Sequence, residues 1–171
     1  MKDNFDKALS FVLKNEGLWS DNPADPGGAT MKGITLTTYR EWKRNPYITK
    51  EQLKAIPDAD VQALYKQNYW DKIQGDNLPS GVDYAVFDCA VNMGVGRASK
   101  LIQEAAGVKA DGAIGQQTLA AIKAVNPQEL IDKFSQLKDN FYRSLATFAT
   151  FGNGWLRRVA EVKINADDMI G

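Results

Sequence analysis

The stretch FDKALSFVLKNEG, residues 5–17, decides the first helix and with it much of the fold. Phe5, Leu9 and Val12 recur at helical spacing, which predicts one apolar face of an amphipathic helix. The next position along that face is Glu16, and Gly17 after it suits a left-handed helix end. Burial raises the pKa of a carboxyl group, which is how proteins prepare a glutamic acid to donate a proton near neutral pH. Glu16 is therefore a candidate general acid.

The composition is that of an ordinary globular protein, and it excludes several kinds of catalytic site. With 171 residues, 44% of them hydrophobic, the chain is long enough to bury a core in one compact domain. It has no histidine, which excludes Ser-His-Asp and Cys-His nucleophile systems and imidazole metal sites. Cys89 lies in an apolar helical segment, where a buried core thiol is expected. Acid–base chemistry must therefore come from carboxylates, lysine, tyrosine or that thiol.

The charge balance gives no sign of a nucleic-acid or membrane partner. Lys and Arg together number 21, as do Asp and Glu, so no overall field favours a polyanion. No apolar run is long enough to span a bilayer, and the first residues do not form an apolar signal core. We therefore expect a monomer that is made in the cytoplasm without a signal peptide and has no integral membrane segment.

The start and stop signals along the chain predict further helices separated by turns. Thr35 is placed as a helix N-cap, and Thr49 forms a capping-box pattern with Gln52. Ser80 is placed to cap a central apolar helix that Gly94 ends. Other helices are predicted at 97–106, 116–125, 127–149 and 155–169. The predicted class is mainly α.

The loop after the first helix carries a second acid and a hydroxyl group. Turn formers are dense in residues 20–33, which leaves room for at most one short β-hairpin near residues 20–35. Asp25 and Thr30 follow Glu16 by nine and fourteen residues, so the loop can fold back over the helix end. One acid that protonates the leaving oxygen, with a polar partner for water or positive charge, is what cleavage of a glycosidic bond needs. Glu16 is the predicted acid and Asp25 the ionised partner.

The same loop resembles the opening motif of a known family. Residues 15–17 (NEG), 22–30 (NPADPGGAT) and 32–35 (KGIT) are similar to glycoside hydrolase family 108, the N-acetylmuramidases of phage endolysins and of secretion-associated bacterial lysozymes. Residues 91–94 (VNMG) add to this match. The stretches 111–119 and 154–159 resemble the predicted peptidoglycan-binding region that commonly completes such chains. The resemblance spans nearly the whole sequence.

The resemblance implies a lysozyme-like helical fold that hydrolyses the β-1,4 bond between N-acetylmuramic acid and N-acetylglucosamine in peptidoglycan glycan strands. It implies that this hydrolysis needs no metal ion or cofactor. It implies Glu16 as the proton donor. The Glu, Asp, Thr order is also similar to that of phage-type lysozymes, which implies that Asp25 and Thr30 place the attacking water. The family resemblance also implies a catalytic muramidase region at 1–95 and a helical peptidoglycan-binding region at 96–171, packed into one compact unit. A wall substrate places the action in the periplasm or outside the cell, so a holin or a secretion machinery would deliver the protein.

Three further residues are candidates for binding substrate. Trp19 and Tyr39 are core aromatics by default, but an aromatic ring that lines a cleft suits the face of a sugar. Asn92 stands near the end of the central helix, where it either ties a loop down or faces the substrate.

The catalytic candidates have structural alternatives as well. Glu16 could be a solvated last-turn residue, and Asp25 or Thr30 could serve only the turn. Two alternatives to the activity also remain: a lytic transglycosylase, which uses the substrate's own hydroxyl in place of water, and a non-catalytic peptidoglycan-binding accessory of secretion.

Overall fold

The computed structural model of the protein describes residues 2–24 and 27–171, and it confirms the mainly α class predicted from the sequence. Its α-helices are α1 Phe5–Glu16, α2 Leu36–Lys43, α3 Lys50–Lys54, α4 Asp58–Tyr65, α5 Val82–Met93, α6 Val95–Ala105, α7 Gln116–Lys123, α8 Pro127–Arg143 and α9 Phe148–Ile170. Short 3-10 turns lie at Lys2–Asn4 and Gly75–Asn77, and a π-helical turn lies at Lys66–Trp70. Within the described ranges, none of these helices combines the length and the apolar character needed to cross a membrane.

A small antiparallel sheet follows α1. Its strands are β1 Trp19–Ser20, β2 Thr30–Met31 and β3 Ile34–Thr35, in that spatial order. Strands β2 and β3 form the predicted hairpin, in which Met31 pairs with Ile34. Strand β1 joins it as a third strand, with Trp19 opposite Met31. A strand of two residues is too short to show the alternation that identifies a strand, so no sequence pattern predicted β1.

The chain forms two compact units. The first unit comprises the chain before Leu9 together with Tyr69–Gly171, and the second unit is Leu9–Asn68. The boundary predicted between residues 95 and 96 falls inside the first unit, and that division into a catalytic and a binding region stays a prediction.

The core of the first unit is built around Trp70, which is fully buried. Its ring makes edge contacts with Phe5 and Phe87, each at 5.4 Å between ring centroids. Its indole nitrogen donates to Asp76 at 2.9 Å, which satisfies the one polar atom that the ring buries. A side chain at Gly75 would overlap the Trp70 ring, so the 3-10 turn beside it requires glycine.

Helix α5 runs through the first unit with nearly every residue buried, but its start differs from the prediction. Ser80 is not the N-cap; Gly81 holds that position at φ 88°. The Oδ1 of Asp83 instead accepts from the backbone N–H groups of Gly81 and Tyr84, at 3.0 and 2.7 Å. The Ser80 hydroxyl accepts a hydrogen bond from Asn4, a partner that is distant in sequence. Helices α6, α8 and α9 pack around α5 and one another.

The end of the chain folds as two helices whose break lies earlier than predicted. The sequence pattern predicted helices at 127–149 and 155–169, whereas α8 ends at Arg143 and α9 already begins at Phe148. Gly152 and Gly154 fall between the two predicted helices, yet both lie inside α9. Gly152 is buried because the Phe148 ring occupies the space where a side chain would be.

The second unit is held by helix caps and a compact apolar core. The Thr35 side chain accepts from the backbone N–H of Thr38 and caps α2, as predicted. Thr49 and Gln52 form the predicted capping box at the start of α3. Each such cap stabilises its helix by about 1 kcal/mol. The buried apolar residues of this unit are Leu9, Val12, Ala29, Ile34, Tyr39, Ile48, Leu53, Ile56, Val61, Leu64 and Tyr65.

Candidate active site

Glu16 is the last residue of α1, at the point where the apolar face of the helix ends. Leu9 and Val12 on that face are buried, whereas Glu16 is half-buried. Gly17 follows at φ 72° and ends the helix in the left-handed conformation, as predicted. The carboxylate is thus carried by a rigid helix and keeps access to solvent.

The turn between β2 and β3 lies directly against Glu16. Lys32 and Gly33, the two central residues of this turn, both have positive φ, 51° and 78°. This is the backbone of a type I′ hairpin turn, whose twist matches that of the strands. A Cβ atom at Gly33 would lie 2.9 Å from Oε2 of Glu16 and 2.7 Å from Oη of Tyr65. Glycine is therefore required at position 33 for two reasons: its positive φ, and the two oxygens that a side chain would overlap.

Tyr65 fixes the other side of this turn, and the sequence pattern did not single it out. It lies at the end of α4, is buried, and donates from Oη to the backbone carbonyl of Lys32 at 2.6 Å. The oxygens of Tyr65 and Glu16 both lie under 3.0 Å from the place where a Gly33 side chain would begin. In the sequence, Tyr65 is one more apolar position of an amphipathic helix, so no local signal distinguishes it from core.

An ion pair joins the same turn to the start of α4. Lys32 Nζ lies 2.8 Å from Oδ1 of Asp58, and the Asp58 side chain is largely exposed. The hydrogen bond and the charge of Lys32 lower the pKa of Asp58. Asp58 therefore uses its side chain to hold the turn, and Pro57 occupies the N-cap position of α4.

Thr30 lies in the sheet that carries this turn. It is half-buried in the middle strand β2, opposite Ser20 on one side and Thr35 on the other. Side chains directly opposite each other lie on one face of a sheet, so three hydroxyl groups share that face. Asp25 lies outside the described residues, and the pairing of Glu16 with Asp25 stays a prediction.

The two aromatic candidates differ in what they expose. Trp19 is half-buried in β1, with Lys54 Nζ 5.6 Å from its ring centroid. Tyr39 is 4% exposed and stacks on Trp42 at 6.3 Å, so it offers little ring surface to a sugar. Its hydroxyl donates to Oδ2 of Asp60 at 2.7 Å.

Asn92 belongs to the first unit, whereas the other described candidates belong to the second. It is exposed near the end of α5, and its Nδ2 donates to the hydroxyl of Tyr142. That bond joins α5 to α8, so the contact of Asn92 is with a helix and not with the loop considered as the structural alternative. Its part in binding substrate stays a prediction.

The arrangement around Glu16 provides one carboxyl group at a fixed place. The helix end sets the position of its backbone, and the type I′ turn leaves no side chain between Glu16 and Tyr65. Two contacts with Lys32 hold this turn: the Tyr65 hydroxyl binds its carbonyl, and Asp58 binds its ammonium group. A half-buried acid held in this way can donate a proton to a bond that is presented from solvent.

Comparison with known proteins gives family models for most of the chain. The model described as glycosyl hydrolase 108 matches residues 9–94, and the one described as predicted peptidoglycan domain matches residues 97–160. Among solved structures, the chain is similar to one titled "Structure of Brucella abortus SagA", at 39% identity and a TM-score of 0.89. That likeness covers 99% of this chain and 97% of the other. No match was found among curated proteins.

Proposed function

Because the chain belongs to the glycosyl hydrolase 108 family, we propose that it cleaves the β-1,4 bond between N-acetylmuramic acid and N-acetylglucosamine, with Glu16 as general acid. The two family models support a glycoside hydrolase with a peptidoglycan-related function. The observation that supports Glu16 is its place at the end of α1 against the Gly33 turn, inside the matched residues 9–94.

In this proposal Glu16 gives its proton to the glycosidic oxygen as the bond from that oxygen to the anomeric carbon breaks. Positive charge then develops on the sugar ring, and a water molecule attacks the anomeric carbon. The proton of that water passes to a carboxylate, for which Asp25 is the candidate, and Thr30 would hold the water. The Glu, Asp, Thr order, which is similar to that of phage-type lysozymes, supports these two assignments.

Glu16→Gln tests the acid, because glutamine has nearly the same shape but no proton to give. We expect lysis of purified peptidoglycan to fall by at least about 100-fold, the usual contribution of a general acid, with the thermal unfolding midpoint unchanged. Glu41→Gln is the matched control, because Glu41 is an exposed glutamate on α2 and should tolerate the same change. Full activity in Glu16→Gln would remove Glu16 from the reaction.

The products distinguish hydrolysis from the alternatives. Mass spectrometry of the released fragments should show reducing N-acetylmuramic acid ends, since water is the proposed nucleophile. Anhydro ends would identify a lytic transglycosylase. If the wild-type protein sediments with insoluble peptidoglycan and releases no fragments, the non-catalytic binding protein is the better description.

Asp25→Asn and Thr30→Val test the second catalytic group. If Asp25 accepts the proton of water, its loss should lower kcat by about 100-fold or more. Thr30→Val keeps the shape and the strand preference of the residue but removes the hydroxyl, so we expect a smaller loss. Equal activity of all three proteins would show that another group activates the water.

We further propose that the protein acts as a monomer on the cell wall, outside the cytoplasm, and that a holin or a secretion machinery delivers it. Expression of the protein inside a bacterium should leave the cells intact until the inner membrane is opened by a co-expressed pore. Lysis without such a pore would overturn the proposed delivery. Light scattering of the purified protein measures its oligomeric state.

A further inference from the structure

A cleft of about 440 Å³ in the second unit is not explained by the catalytic proposal. It lies among α2, α3 and the start of α4, and residues from all three helices and their connections line it. Its floor is apolar and consists of Ile48, Ala55 and Pro57. An apolar cleft with a few converging polar groups is the usual form of a binding site for a small molecule or peptide.

Two opposite charges stand together on the wall of this cleft. Lys43 Nζ lies 3.3 Å from Oδ2 of Asp60, and the Lys43 side chain is 43% exposed. Oδ2 of Asp60 also accepts from the buried hydroxyl of Tyr39. Burial and the neighbouring Asp60 raise the pKa of Tyr39 to about 12, so this hydroxyl stays a donor across the physiological range. Asp60 is thus held in place, whereas the lysine can move to meet a ligand.

Two side-chain amides complete the polar rim. The Asn45 oxygen accepts from the backbone N–H of Tyr47, and the Gln52 oxygen accepts from that of Thr49. These bonds orient both amides through their oxygens. Among residues 2–24 and 27–171, neither amide NH2 group donates to another protein atom, which leaves both as donors at the cleft.

We propose that this cleft binds a peptide stem of peptidoglycan, a short peptide that carries both a free ammonium and a free carboxylate group. The ammonium would bind Asp60 and the carboxylate Lys43, so that one internal ion pair is exchanged for two with the ligand. Peptide carbonyls would accept from Asn45 and Gln52. The aliphatic parts of the peptide would lie on the apolar floor. This inference rests on the proposed function, because it assumes peptidoglycan as the polymer.

The cleft is linked to the proposed acid through contacts within the second unit. Pro57 in the cleft is followed by Asp58, whose side chain binds Lys32. Lys32 precedes Gly33, the residue that lies against Glu16. A glycan strand that presents its bond to Glu16 would carry its peptide stems along the same unit.

Binding is tested by calorimetry with the synthetic peptide N-acetyl-L-alanyl-D-isoglutaminyl-L-lysyl-D-alanine, which carries one ammonium and one carboxylate group. Each charge-assisted contact should contribute about tenfold in Kd, so Lys43→Met and Asp60→Asn should each weaken binding by about that factor. Acetylating the lysyl amine of the peptide should weaken binding to the wild type but not further to Asp60→Asn. Amidating the terminal carboxylate should weaken binding to the wild type more than to Lys43→Met.

Lys50→Met is the matched control, because Lys50 pairs with Asp21 at 3.1 Å and does not line the cleft. It should bind the peptide as the wild type does. Absence of peptide binding by the wild type, or equal affinity of all the variants, would overturn the proposal.

Measurements of turnover test the peptide-binding cleft separately from the proposed cleavage activity. The wild type should cleave peptide-bearing glycan with a higher kcat/KM than glycan whose stems have been removed by an amidase. Lys43→Met and Asp60→Asn should lose that preference while keeping their rate on the stem-free strands. If the protein cleaves neither polymer, the proposed function fails, and the peptide-binding result still decides the cleft. If the wild type cleaves both polymers equally, the cleft has no part in recognising the stem.

Discussion

Helix α5 of the first unit and the end of α1 in the second both place acids on a helix face that is otherwise apolar. Asp83 and Asp88 in α5 are more deeply buried than Glu16. Asp83 accepts from two backbone N–H groups and from Asn4, and Asp88 pairs with Arg158 at 2.9 Å. Deep burial therefore goes with a complete set of internal partners, and with a structural part for both aspartates.

Glu16 differs from these two acids both in its place and in its burial. It ends its helix, stays half-exposed and lies against a glycine turn, so a substrate can reach it. An acid on an apolar helix face is thus not enough to indicate catalysis. A position at the end of an element, with room kept clear beside the carboxylate, is the better sign.

Asp88→Asn should have the largest effect on stability, because it removes the carboxylate that pairs with the Arg158 charge at a mostly buried place. Breaking a buried ion pair in this way costs about 3–5 kcal/mol. Urea unfolding should show that loss, whereas Asp168→Asn, a change at an exposed acid on α9, should leave the curve unchanged. A loss under about 1 kcal/mol would show that the pair of Asp88 with Arg158 contributes little to the stability of the first unit.

Gly33→Ala should affect both stability and activity, since a methyl group there would overlap the oxygens of Glu16 and Tyr65. We expect a loss of about 1–3 kcal/mol together with a marked fall in the rate of peptidoglycan cleavage. Gly28→Ala is the control, because Gly28 has a similar φ of 70° but no atom within 4 Å of a new Cβ. Equal effects of the two changes would show that backbone strain alone, and not crowding of Glu16, is responsible.

Asp83→Asn should cost less, about 1 kcal/mol, because the amide keeps one acceptor oxygen for the backbone of α5. The new NH2 group would face the NH2 group of Asn4, which now donates to Asp83 at 2.9 Å. Thermal unfolding measures the loss, and Asn4→Asp in the same background should recover part of it. If Asp83→Asn lowered activity without lowering stability, Asp83 would have a part in catalysis, as proposed for Glu16, and not a structural part.

Asp111→Asn is expected to have the smallest effect, and one that depends on pH. Asp111 is exposed, and hydrogen bonds from the Ala113 backbone and from Gln103 lower its pKa. A lowered pKa in the folded state means stabilisation that is present above about pH 4 and lost as pH falls through the folded-state pKa. The unfolding midpoint of the variant should therefore lie below that of the wild type at pH 7. The two midpoints should converge as the pH falls below the folded-state pKa of Asp111, and a constant difference would exclude the charge as the cause.

The local features of the fold could be predicted from the sequence because the residues that cause them are neighbours. The amphipathic face of α1, the Gly17 helix end and the Thr35 and Thr49 caps each depend on a few consecutive side chains. The mainly α class follows from many such signals together. The predicted acid also came from local pattern and family motif, and its catalytic part remains to be measured.

The features that were missed depend on partners far along the chain. Ser80 looks like an N-cap, but Asn4 binds it and Asp83 serves the helix start instead. Tyr65 lies against Glu16 only because a turn more than thirty residues earlier reaches it, as its bond to Lys32 shows. Gly152 is accepted inside α9 because Phe148 fills the space beside it. None of these contacts leaves a periodic signal in the sequence.

Cys89 gives the molecule a natural reporter of its own opening. It is the single cysteine of the chain, 1% exposed in the middle of α5, and burial raises the pKa of its thiol to about 12. A thiol in that state reacts with an alkylating or disulfide reagent only when the helix around it separates from its neighbours. The rate of labelling therefore measures how readily the core of the first unit opens. No dye has to be introduced into the protein for this measurement. It allows the effects of Asp88→Asn and Asp83→Asn to be followed under conditions in which the native state still dominates.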